Sequence, residues 1–128
     1  MREKPVPMDQ SQAVAAVARE SLLTADFDDS VGHVETQRVT LPPGLSVPRH
    51  SHPGGAVGYV IAGEILFQPE GHELRRLGVG DTFYERPGAT ISHFANASQS
   101  APAVFVAFYA LAGGQALIEM EPRPDDTD

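Results

Sequence analysis

The 128-residue chain contains no cysteine, so disulfides, thiolate-held zinc and a cysteine nucleophile are all excluded. That absence fits a reducing compartment. Basic side chains are scarce: nine Lys and Arg stand against seventeen Asp and Glu, a formal charge of −8. Such a surface repels phosphate backbones and no basic stripe interrupts it, so neither nucleic acid nor anionic membrane is an expected partner. No apolar run approaches the roughly 18 residues that span a bilayer. The N-terminal AVAAVA (13–18) is too short for a signal core and runs at once into Arg19 and Glu20. A cytoplasmic protein is the expectation. No glycine-rich phosphate or dinucleotide loop and no G-x-S-x-G elbow occurs, which leaves nucleotide binding and serine hydrolysis without support.

What is present is an ordinary globular composition, 41% apolar and 20% charged. Residues 1–8 (MREKPVPM) are polar and proline-broken and read as a loose arm. DQSQAVAAVARESLL (9–23) has the pattern of a short helix, with Asp9 or Ser11 as N-cap and Ala13, Val14 and Val17 on one side. A compatible reading makes SLLTADF (21–27) the first strand.

From Val34 onward the chain becomes short strand-like runs punctuated by Gly and Pro: VETQRVTL (34–41), VGYVIAG (57–63), EILFQ (64–68), TFYE (82–85), TISHFAN (90–96) and VFVAFYAL (104–111). The last is apolar on both faces, as expected of a strand buried between two layers. Many short strands with turn signals every eight to twelve residues or so predict an all-β antiparallel sandwich or barrel. The expected organisation is an arm over 1–20, a barrel over 21–118 and an acidic, proline-rich, disordered tail over 119–128.

The stretch PRHSHPGGAVGYVIAGE (48–64) carries the chemistry. In a strand, His50 and His52 point to one face roughly 6.5–7 Å apart along the chain, close enough for two imidazoles to share one ion at about 2.1 Å each. Gly44 lies six residues before His50, and Gly63 closes the run that follows. Further on come Gly80-Asp81, Arg86, Gly88 and Asn96, within GDTFYERPG and TISHFAN. This ordered pair of motifs resembles the cupin superfamily, specifically its small single-domain members. The resemblance covers about residues 34–111 and implies an antiparallel jelly-roll (cupin) β-barrel with a metal inside it.

Carried over position by position, the resemblance assigns His50 and His52 to the two histidines of the first motif. The first motif's glutamate falls at Ala56, the second motif's histidine at Ile91 and its proline at Arg86. Two of the four usual ligands are therefore missing. Strand parity offers substitutes. His93, two residues beyond Ile91, should face the same interior. Glu85 shares a face with Phe83; if Phe83 packs inside, Glu85 must bind a metal, pair with a cation or hold a proton. At the rim it would instead bridge to Arg86 or Arg49. His50, His52, His93 and Glu85 together make a three-histidine-plus-carboxylate set. Two histidines with Glu85 suit non-haem Fe(II), and three histidines suit zinc activating a water. One divalent transition metal ion is expected, with Fe, Zn, Mn, Ni and Cu all compatible.

His33 and His72 read as surface residues. Tyr59 and Tyr84 have the wrong parity for the site, and Phe94, Phe105, Phe108 and Tyr109 read as core. Gly54-Gly55 either keeps an entrance open or is plain turn chemistry. Two functions follow: a metal-dependent enzyme acting on a small organic molecule (dioxygenase-like or isomerase, lyase or cyclase-like, with Glu85 as catalytic group), or a non-catalytic small-molecule binding or sensing module. Exposed sheet edges and the N-terminal arm make a homodimer, by exchange of the first strand, the expected assembly.

Overall fold

A computed structural model describes residues 9–26 and 32–121. The arm expected over 1–8 and the tail from 122 lie outside the described residues. A short helix α1 (Gln10–Ala16) is closed by a capping box: Asp9 Oδ1 accepts from the Gln12 N–H at 2.8 Å, and Gln12 Oε1 accepts from the Asp9 N–H at 2.9 Å. Ala13 is buried against the barrel, whereas Val14, expected on the same side, is 41% exposed. Both N-terminal readings hold, because strand β1 (Ala18–Asp26) starts directly after the helix. β1 thus begins inside the span expected to be arm.

The remaining strands are β2 (His33–Leu41), β3 (His50–Ser51), β4 (Ala56–Ala62), β5 (Ile65–Pro69), β6 (Arg75–Leu77), β7 (Thr82–Glu85), β8 (Ile91–Asn96), β9 (Ala103–Leu111) and β10 (Glu119–Met120). They form two five-stranded antiparallel sheets, ordered β1-β2-β9-β4-β7 and β10-β3-β8-β5-β6. Consecutive strands repeatedly alternate between sheets, the jelly-roll arrangement that the sequence pattern predicted. Each inner face obeys period two: Ala56, Gly58 and Val60 point inward from β4, and Phe83 and Glu85 from β7. Between the sheets, Phe83, Phe94 and Phe105 meet edge to face with centroids 5.2–5.5 Å apart.

Two expectations are corrected here. β9 is not buried on both faces. Phe105, Ala107 and Tyr109 are inside, but Phe108 is 45% exposed, because among the described residues no second layer covers the outside of its sheet. At the other end, Glu119–Met120 do not begin a tail. They pair with Ser51 and His50 and so bring the C-terminal segment onto the histidine strand.

Gly58 explains how Phe83 reaches the centre. A Cβ at Gly58 would lie within the Phe83 ring, so only glycine leaves the space that the ring fills. Gly58→Ala is expected to destabilise the fold by about 1–3 kcal/mol through overpacking, read as a lowered denaturant midpoint at unchanged slope.

Candidate metal centre

β3 places His50 inside, directly opposite Ile91 of β8, and the chain leaves the strand with His52 on the same side. Both histidines are buried, at 3% and 4% exposure. The His52 backbone is pinned by its carbonyl, which accepts from the Gly55 N–H at 2.9 Å and the Gly88 N–H at 3.0 Å. Gly55 has φ +80, so the glycine pair serves the turn rather than an opening.

Glu85 arrives from the other sheet. Its β7 position is paired with Ala56 of β4, the place where the sequence pattern lacks its carboxylate. Directly opposed residues on one face have Cβ atoms about 4.5–5.5 Å apart, so the acid has moved one strand sideways into the same space. Glu85 is 2% exposed, which removes the rim alternative with Arg86 or Arg49.

The hydrogen bonds fix which ring atoms face the centre. His50 Nδ1 lies 2.9 Å from the Pro48 carbonyl and His52 Nδ1 2.7 Å from the Leu117 carbonyl. A carbonyl only accepts, so each Nδ1 carries the proton and, in the neutral ring, each Nε2 presents a lone pair. Both Nε2 atoms lie near the same acceptor: Glu85 Oε2 is 2.9 Å from His52 Nε2 and 3.9 Å from His50 Nε2. The 2.9 Å contact has ion-pair distance yet no hydrogen-bond geometry, and Glu85 Oε2 is a buried oxygen without a hydrogen-bond partner. The donor atoms of the three residues all lie within 4.8 Å of one another.

Three acceptors with no donor between them leave a buried oxygen unsatisfied, a deficit that a shared cation removes. Ligands about 2.0–2.2 Å from one ion lie about 3–4 Å from each other, so this spacing fits a metal. Burial lowers the His50 pKa from 6.5, opposed by the Glu85 carboxylate, which keeps its ring in the neutral, ligating form at neutral pH.

His93 is not part of this group. It is exposed on the outside of β8, and the expectation that it faces inward is corrected by a β-bulge. Gln68 pairs with His93 and Pro69 with Ile91, so Ser92 is an extra residue on β8 and the parity flips at it. The Ser92 hydroxyl donates to the Gln68 carbonyl at 3.0 Å, holding the bulge. Ile91 therefore faces inward, at 1% exposure, and His93 does not. His33 pairs with Asp26 at 2.9 Å, and His72, Tyr59 and Tyr84 are exposed, as read from sequence.

The sequence missed the polar wall of the same cavity. Tyr109, read as core, packs its ring on His52 with centroids 5.2 Å apart. Arg19 of β1 reaches over the mouth, and its Nη1 donates to the Tyr109 hydroxyl at 3.1 Å and to Gln37 Oε1 at 3.0 Å. The phenol's pKa is raised by burial, opposed by Arg19. The available signal was a phenol at inner parity in an otherwise apolar strand. The lumen leaves about 20 Å³, enough for an ion or one water. A larger cleft of about 480 Å³ opens between β5, β6 and the 86–90 loop; Glu85 lines it as well as the lumen, and its wall mixes Glu70 and Glu73 with Arg75 and Arg86.

Fold and site together define a jelly-roll barrel built around inward imidazole and carboxylate donors. The Cupin domain family model matches residues 37–109, more than half of the chain, and the chain belongs to that family. Over 50 residues it is 44% identical to the dimethylsulfoniopropionate lyase DddQ of Ruegeria pomeroyi, a match covering 39% of this chain and 25% of the lyase. The crystal structure of DddQ from Ruegeria pomeroyi superposes with a TM-score of 0.65 at 26% identity, over 84% of this chain and 52% of that one. The chain thus spans about half the length of that lyase. A cupin-like protein from Thermotoga maritima gives a TM-score of 0.66 at 24% identity, over 82% and 75% of the two chains.

The acceptor cluster generates opposed effects for one substitution. Glu85→Gln supplies an N–H to a histidine lone pair, so the chelator-treated protein should gain about 1–2 kcal/mol, while metal affinity falls by at least about a hundredfold. Thermal melts with and without metal check both, and His93→Ala should alter neither. In the metal-free protein, the depressed His50 pKa makes its stability contribution present above pH 6.5 and lost as pH falls below that value. Melts from about pH 7.5 to 5.5 should show the loss, with a shallower slope in His50→Gln.

Proposed function

We propose that this protein is a metal-dependent cupin enzyme in which His50, His52 and Glu85 hold one divalent transition metal ion and a small organic molecule reacts beside it. The reading is supported above all by Glu85 Oε2, a buried acceptor close to two imidazole Nε2 atoms and without a hydrogen-bond partner. When bound, the metal supplies a Lewis acid that polarises a substrate oxygen. The chain's own residues do the rest. The Pro48 and Leu117 carbonyls hold the imidazoles in one tautomer and orientation. Phe83, Phe94 and Phe105 line the cavity and exclude water.

Among the chemistries open to this fold, similarity to a dimethylsulfoniopropionate lyase favours elimination over dioxygenation. Elimination needs a base, and Glu85, the only carboxylate lining the lumen among the described residues, takes that role only if His50 and His52 hold the metal without it. The two roles of Glu85 separate cleanly: as a ligand its loss removes the metal, and as a proton acceptor its loss removes turnover with the metal retained.

The second reading, a non-catalytic binding or sensing module, is favoured by one observation: the lumen as folded has room for little more than an ion. The homodimer remains part of the proposal, now supported by an apolar outer face on which exposed Val57 pairs with exposed Tyr84 and Phe108.

Elemental analysis of protein purified without added metal should find about one transition metal ion per chain, and His50→Ala should abolish it. A metal content near zero, with no binding on titration, ends the metalloenzyme reading. For the loaded protein, dimethylsulfoniopropionate turnover with no oxygen consumption is the expected result. Oxygen uptake with small phenols or diketones supports dioxygenation instead, and silence throughout supports the binding module. Val57→Lys should convert the sedimenting species from dimer to monomer.

A further inference from the structure

The strand that crosses the mouth of the barrel carries an unused cation. Arg19 is the only Lys or Arg side chain lining the lumen among the described residues. Its contacts there are with neutral groups, the Gln37 amide oxygen and the Tyr109 hydroxyl, and both are made through Nη1. Nη2 and Nε have no acceptor among the described residues, although a guanidinium offers five donors in a fixed fork. The nearest acid on the same inner face, Glu35, is directed elsewhere: its Oε1 accepts from Gln37 Nε2 at 3.2 Å and its Oε2 lies 3.9 Å from His33 Nε2. An isolated cation aimed at a cavity is unusual in a chain of net charge −8.

Tyr109 connects this cation to the donor cluster. Its ring lies on His52, so its hydroxyl and the Arg19 fork sit beside the imidazoles on the mouth side. Formal charge then limits what enters. Glu85 and Arg19 cancel in the metal-free barrel, but a divalent ion leaves the cavity two positive charges in excess. Arg19 is exposed on β1, so its share of that excess faces solvent at the opening, where it favours an approaching anion over a cation. The mixed-sign cleft beside β5 and β6 offers no such preference.

Resting on the metal-centre reading, we propose that Arg19 and Tyr109 form an anion-anchoring arm of the site, and that the molecule admitted is a compact carboxylate. One carboxylate oxygen takes the Arg19 Nη2–H and the other the Tyr109 hydroxyl, while the rest of the molecule points at the His50–His52–Glu85 cluster. The lumen as folded has room for little more than the ion, so the carboxylate group stays at the opening beside Arg19, and even a chain of a few heavy atoms reaches the cluster only by displacing Val17 and Ile118, which also line the cavity. Arg19 and Tyr109 are anchoring residues in this scheme; no bond-making step is assigned to them.

The probes are propionate and its neutral isostere propionamide, followed by calorimetry and by ligand-observed NMR on metal-loaded and chelator-treated full-length protein. Loaded wild type should bind propionate at least about tenfold more tightly than propionamide, a charge-assisted pair outweighing a neutral one. Arg19→Gln should weaken propionate about tenfold or more and leave propionamide unchanged, and Tyr109→Phe should weaken propionate by a few fold. Arg19→Lys, which keeps the charge and loses the fork, should fall between wild type and Arg19→Gln. It also gives a second readout if Arg19→Gln does not fold. Equal binding of the two probes by wild type, absence of propionate binding, or full propionate affinity in Arg19→Gln each overturns the proposal. Metal content, measured on the same samples, reports on the metal centre separately. Intact metal with no propionate preference sinks only the anchoring arm, and propionate held by Arg19 in a chain that takes no metal sinks only the metal centre.

Discussion

The candidate metal centre of this barrel depends on three hydrogen-bond acceptors being forced together inside an apolar cavity. Two neutral imidazoles and a carboxylate would each find water on a surface. Here the two sheets remove the water, and the Pro48 and Leu117 carbonyls consume the imidazole N–H groups that might have satisfied the carboxylate. The remaining lone pairs of His50, His52 and Glu85 have only each other. Such an arrangement costs free energy in the metal-free chain and returns it when a cation binds, which is how a fold stores affinity for an ion.

The scaffold meets that demand from four separate segments. β3 delivers the histidine pair, β7 delivers Glu85, the segment before β10 delivers the Leu117 carbonyl, and β1 brings Arg19 over the opening. The C-terminal segment therefore supports the candidate site: Met120 pairs with His50 and Glu119 with Ser51, next to the Leu117 carbonyl that His52 Nδ1 meets. The carboxylate, absent at Ala56, is restored from the directly opposed position on the next strand. Cross-strand neighbours occupy nearly the same space, so a ligand can change strands without changing its place in the site.

Much of the fold was legible because it rests on local rules. Period-two alternation, glycine and proline punctuation and a capping signal at Asp9 define most elements to within a residue or two, and Gly44, Gly63, Gly80 and Gly88 mark turns where positive φ is required. The inward placement of His50 and His52, and the shared face of Phe83 and Glu85, follow from the same counting of parity. The counting breaks at Ser92, because a bulge is set by how two strands meet and leaves no compositional mark. One extra residue sent His93 outward.

The sequence by itself determined an antiparallel barrel of the cupin type and an inward pair of imidazoles, because each depends on spacing along a single strand, and it left Glu85 open between the interior and the rim. Only the tertiary structure decided which donors converge, which ring nitrogens face the centre, and that Arg19 and Tyr109, ninety residues apart, share a hydrogen bond at its mouth. Those are distances between strands, and they exist only once two sheets have closed on each other.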